Sequence, residues 1–124
     1  MTTGKDIKAR LQSYIDALAS GDVDRVMSHY ARFATCEDPV GGPVHKGIDA
    51  IRAFYTSAMS AGQLKIEPIS PIVSTTDECA AVAARVKLPG GGLLHFIEVQ
   101  RYNEQGKIVQ MRAYYDPADI APAK

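Results

Sequence analysis

The sequence predicts an α+β fold, with a curled antiparallel sheet packed around a long N-terminal helix, and three observations carry that reading. Through the first part of the chain, apolar residues recur at three- and four-residue steps. Beyond Gly62 the period changes to alternation, and helical spacing does not return with any strength. Turn-forming clusters separate the alternating runs, as a meander of strands requires.

In residues 6–20, Ile7, Leu11, Tyr14, Ile15 and Leu18 share one helical face, and Gly21 ends the helix. Asp22 suits the N-cap of a second helix, in which Val23, Val26, Met27 and Tyr30 repeat the spacing and turn Tyr30 inward. A short strand over residues 33–37 leads into a Pro- and Gly-rich loop, residues 39–47. Ile48, Ile51, Phe54, Tyr55, Ala58 and Met59 form the inner stripe of a third helix.

Residues 64–73 are interrupted by Pro68 and Pro71 and read as an edge strand, or as two short strands with a bulge. Val82, Ala84, Val86 and Leu88 alternate with Arg85 and Lys87 as a half-buried strand, and Pro89-Gly90-Gly91-Gly92 turns it back. The return strand covers residues 93–102. Asn103-Glu104-Gln105-Gly106 is the next turn, leading into a last strand over residues 107–115. Such a sheet encloses a cone-like cavity. With few covering helices it also leaves one face open, and Ile108, Gln110, Arg112 and Tyr114 mix apolar and polar groups there as the interface of a twofold homodimer would.

A chain of 124 residues that is 46% hydrophobic and 23% charged fits one domain over residues 1–124. Fourteen basic and fourteen acidic residues leave no net charge, which argues against nucleic acid or an anionic membrane as a partner. The N-terminal residues lack an apolar signal core and no run approaches membrane-spanning length, so a soluble cytoplasmic protein is expected. Cys36 and Cys79 lie in apolar stretches and read as reduced, buried thiols. His29, His45 and His95 have no metal-ligand spacing and read as structural.

Glu37-Asp38 is followed by Pro39-Val40-Gly41, which leaves a carboxylate at a turn after an apolar strand, where a general base would sit. Glu-Asp-Pro is also an ordinary strand exit. Glu98 lies mid-strand on the same alternation as Leu94 and Phe96. If that face lines the cavity, burial raises its pKa and leaves it a neutral hydrogen-bond donor. The alternative is a Glu facing solvent, or one paired with Arg101 or Arg112. Tyr14, Tyr30 and Tyr55 read either as core residues with satisfied hydroxyls or as one linked network that tunes its innermost member.

The stretches Tyr14-Ile15-Asp16-Ala17-Leu18, Gly21-Asp22, Glu37-Asp38-Pro39-Val40-Gly41, Ile51-Arg52-Ala53-Phe54-Tyr55 and Met111-Arg112-Ala113 together resemble bacterial ketosteroid isomerase, of the nuclear transport factor 2-like superfamily. The resemblance spans nearly the whole chain. It implies Asp38 as general base, Tyr14 as principal oxyanion donor and Glu98 as a second, protonated donor where the family usually has Asp. It implies Tyr30 and Tyr55 as supports of Tyr14, and Phe54, Met111 and Tyr115 as pocket walls; Val86 and Phe96 are taken as further substrate contacts. The implied reaction is cofactor-independent, moving the double bond of a 3-oxo-Δ5 steroid to the Δ4 position through a dienolate. The rivals are a non-catalytic protein of the same fold that binds a small apolar molecule, and a polyketide cyclase-like or epoxide hydrolase-like enzyme. Epoxide opening needs an acid-base-water arrangement that this sequence does not show, and the tyrosine with two carboxylates favours isomerisation.

Overall fold

The computed structural model describes residues 4–122. Helix α1 (Gly4–Ser20) buries Ile7, Leu11, Tyr14, Ile15 and Leu18, as their spacing requires. Gly21 stops it at φ 77°, its N–H reaching the Leu18 carbonyl at 3.2 Å. Asp22 caps α2 (Val23–Met27), its carboxylate accepting the backbone N–H of Asp24 and Arg25.

Helix α2 ends sooner than its periodicity suggests. Tyr30 opens strand β1 (Tyr30–Glu37) instead of closing the helix, because its backbone is drawn into pairing with Ile108 seventy-odd residues away. The pairing with β7 shifts register between Tyr30 and Thr35, and Tyr30, Ala34 and Cys36, at even-numbered positions of the strand, are buried in the core. The Pro/Gly loop holds a short strand that the sequence reading lacks, β2 (Val44–Lys46), paired antiparallel to β1. Gly47 follows at φ 85° and ψ 160°, leading into α3 (Ile48–Ala58), which buries Ile51 and Tyr55 and leaves Ile48 exposed on its first turn.

Two short strands, β3 (Ile66–Pro68) and β4 (Val73–Ser74), pair with β5 (Cys79–Lys87), as the prolines at 68 and 71 suggest. β6 (Leu93–Tyr102) and β7 (Ile108–Tyr114) complete an antiparallel β5-β6-β7 meander. The sheet order is β2-β1-β7-β6-β5-β3. It is mixed rather than wholly antiparallel: β1 lies parallel to β7, which joins the helical half of the chain to the meander.

One inward/outward assignment changes. Tyr102 pairs with Ile108 and Arg101 with Gln110, so Val109 is an extra residue in β7 and the alternation flips across it. Ile108 is therefore buried in the core, and the outer face near this strand presents Gln110, Arg112 and Tyr114 beside Ile97 of β6. Cys36 is buried, Cys79 only partly so, and both are free thiols. Among the described residues, no helix is long and apolar enough to cross a membrane.

At Gly47 a Cβ would meet open space, the nearest atom being the Arg32 carbonyl oxygen at 3.9 Å, so only its backbone angles penalise a side chain. Gly47→Ala is expected to lower the unfolding free energy by about 1–3 kcal/mol, read by urea denaturation.

Candidate active site

The acidic pair at the end of β1 divides its labour. Glu37 Oε2 accepts the Gly41 N–H at 3.0 Å, and Oε1 accepts Arg112 Nε at 3.2 Å, so this carboxylate braces the turn. The Val40 N–H donates to the Ala113 carbonyl at 2.8 Å and pins the same turn to β7. Asp38, between these anchors, faces the cavity. Burial raises its pKa, while a hydrogen bond donated by the Tyr115 hydroxyl and the nearby charge of His45 pull it back.

The cavity, of about 240 Å³, lies between α1, α3 and the inner face of the sheet. Asp38, Tyr14, Glu98, Tyr55 and Tyr115 supply its polar groups, and the rest of its wall is almost entirely apolar. Phe54, Val86 and Phe96 line it as the sequence suggests, joined by Leu18, Leu64 and Leu94 among others. Met111 does not. It is buried level with Gln100, one inner-facing row beyond the Glu98–Ala113 pair at which the cavity ends.

Glu98 is 4% exposed, opposite Val82 of β5 and Ala113 of β7. The solvent-facing reading and the pairings with Arg101 or Arg112 both fail, because Arg101 pairs with Glu78 and Arg112 with Glu37. Burial, and then the charge of Asp38, push the Glu98 pKa up to about 8, against a hydrogen bond donated by Gln100. The carboxyl is therefore mostly protonated at neutral pH, in the same enclosure as a second acid.

The three tyrosines form one chain of phenols. The Tyr55 hydroxyl is 2.5 Å from that of Tyr14 and 2.6 Å from that of Tyr30. Tyr14 and Tyr55 reach the cavity, whereas Tyr30 lies behind them. Burial holds the Tyr14 phenol well above its ordinary pKa, and the bond to Tyr55 acts the other way.

Three participants escape sequence reasoning. Tyr115 was expected as a wall residue but also holds Asp38. His45 was expected to be structural; it packs its ring on Phe54 at 4.8 Å and sits close enough to Asp38 for its charge to act there. Its three-residue strand is too short for alternation to reveal. Gln100 is the third, on the inner face of β6 next to Glu98. Among the described residues, no three His, Cys, Asp or Glu side chains are grouped as a metal ion would need.

Comparison with known proteins identifies the family and the fold. A family model described as SnoaL-like domain matches residues 11–111. A protein named Steroid Delta-isomerase, from Nocardioides simplex, is 32% identical over 118 residues, covering 93% of this chain and 94% of its own. Among solved structures, the epoxide hydrolase/cyclase-like enzyme SalBIII, described with a role in pyran ring formation in polyether salinomycin, superposes with a TM-score of 0.87 at 26% identity, covering 95% of this chain and 96% of that one. The chain thus belongs to the SnoaL-like family, on the nuclear transport factor 2-like fold that its cone of sheet and helices already displays.

Proposed function

We propose that the protein is a steroid Δ-isomerase that converts 3-oxo-Δ5 steroids to their conjugated Δ4 isomers. The observation that carries this reading is the pairing of two unlike carboxyls in one apolar cavity: Glu98 neutral at pH 7 beside the Tyr14 phenol, and Asp38 at the loop with groups that favour its ionised form. The likeness to the Nocardioides simplex steroid Delta-isomerase supports the choice of substrate.

Asp38 removes a proton from the carbon between the ketone and the double bond, and the electron pair moves onto the ketone oxygen as a dienolate. Tyr14 and Glu98 donate to that oxygen, and Asp38 returns the proton at the far end of the former double bond. Direction along the phenols follows from one proton per hydroxyl. If Tyr14 spends its proton on the substrate, Tyr55 donates to Tyr14 and Tyr30 donates to Tyr55, so each support strengthens the next donor. The wall of Val, Leu and Phe suits an uncharged ring system. At about 240 Å³ the enclosure is below the roughly 300 Å³ at which pockets for drug-sized ligands begin, so the end of the steroid remote from the ketone extends through the mouth.

The raised Glu98 pKa also makes folding depend on pH. The native state holds this proton up to about 8, whereas the unfolded chain releases it near 4.5, so the native state binds more protons in between. Stability from this group is complete below the lower value and is lost as pH rises towards the upper one, at about 1.4 kcal/mol per pH unit.

Incubation with a Δ5-3-ketosteroid, followed by ultraviolet absorbance of the conjugated ketone, should show conversion, and Asp38→Asn should reduce kcat by at least about a hundredfold. Wild-type protein without conversion would favour a binding or cyclase-like role in the same cavity. Tyr14→Phe is expected to lower kcat by about 100- to 1000-fold with little change in KM, because the donor matters most once charge has developed; an equal loss in binding would contradict that role. Denaturation between pH 5 and 8 should show Glu98→Gln gaining stability relative to wild type as pH rises, and parallel curves would mean that Glu98 is not protonated in the fold.

A further inference from the structure

On the far side of Glu98 from the cavity, the inner face of β6 carries two more polar side chains that the reaction does not touch. Gln100 is 0% exposed and Tyr102 is buried. Residues 98, 100 and 102 share this face through the two-residue period of a strand, and their polar atoms form one line. The Tyr102 hydroxyl donates to Gln100 Oε1 at 2.6 Å, and Gln100 Nε2 donates to Glu98 Oε2 at 2.6 Å. The inner positions on the other side of Glu98, Leu94 and Phe96, are apolar.

An amide has two unlike ends, and the end that meets Glu98 decides where the acid's proton can go. With the N–H end towards Glu98, Oε2 serves as acceptor and the proton resides on Oε1. With the carbonyl end towards it, the protonated carboxyl would donate to Gln100, and its proton would be lost to the cavity. The Tyr102 hydroxyl makes the choice. Its proton needs an acceptor, and among the described residues its one hydrogen bond is to Gln100. A donating phenol requires the carbonyl end, which turns the amide N–H towards Glu98.

We propose that Tyr102 and Gln100 are positioning residues that hold the Glu98 carboxyl with Oε2 occupied, leaving Oε1 to donate into the cavity. The kinetic consequence rests on the isomerase reading; the geometry does not. Glu98 acts on Tyr14 from α1, Tyr30 and Cys36 from β1, Tyr55 from α3 and Tyr102 on its own strand, and the charge of Asp38 acts on it from the loop. Tyr102 in turn faces Arg10 of α1 and Cys79 of β5. Donation by Gln100 favours the charged carboxyl, so its removal raises the pH at which Glu98 ionises.

The test follows the Glu98 carboxyl by carbon-13 NMR in protein labelled at glutamate, with Glu98→Gln to assign the signal. In Gln100→Leu the carboxylate loses a donor, and in Tyr102→Phe the freed amide turns its carbonyl towards the protonated acid. Both variants are expected to move the Glu98 titration up by about one pH unit. Tyr102→Phe should also lower kcat about tenfold with KM nearly unchanged. A structural role alone would lower stability and leave the titration in place, so a wild-type titration in Tyr102→Phe overturns the proposal. That variant removes one oxygen and carries the test by itself should Gln100→Leu not fold. The titration needs no substrate: a displaced titration in protein that fails to isomerise the steroid upholds the positioning relay and rejects the isomerase reading.

Discussion

Two acids enclosed by the same apolar walls cannot both be charged cheaply, and the arrangement around them follows from that constraint. Asp38 has a phenol donor and a nearby histidine, while Glu98 is set in a strand whose other cavity-facing residues, Leu94 and Phe96, offer a charge nothing. The asymmetry is architectural. Asp38 sits on a braced turn and Glu98 on the central part of the longest strand, so each environment is fixed by the backbone that carries it.

Burying hydroxyls is costly unless each finds a partner, and both buried polar systems here answer that requirement in the same way. The tyrosines of α1, β1 and α3 satisfy one another, and Glu98, Gln100 and Tyr102 do so along one strand. Among the described residues, no buried side-chain polar atom lacks a hydrogen-bond partner. The Glu98 carboxyl lies where these two systems meet the cavity, with phenols on one side and an amide on the other.

Where one local signal dominates, the sequence reports the fold faithfully. The alternation from Leu93 to Tyr102 gives β6 at full length and turns Glu98 inward, and the stripe from Ile7 to Leu18 gives α1 and the inward Tyr14. Long-range effects are not written locally. Tyr30 fits a helical period yet joins a strand because Ile108 pairs with it, and one extra residue at Val109 reverses which side chains of β7 face out. Met111 is apolar and inward, and only the register shows that the cavity stops one row short of it. The hydrogen bond of Asp38 with Tyr115, the electrostatic influence of His45 on it, and the direction of the Gln100 amide depend on tertiary placement that no spacing along the chain encodes.

The parallel seam between β1 and β7 has a temporal meaning. Asp38 follows the first strand, whereas Ala113, near the end of the seventh, anchors its turn, and Tyr115, just beyond that strand, holds its carboxylate. A growing polypeptide therefore presents the Asp38 carboxylate before the groups that hold it have been made. The acidic turn is set only once β7 has been made and closes the seam with β1.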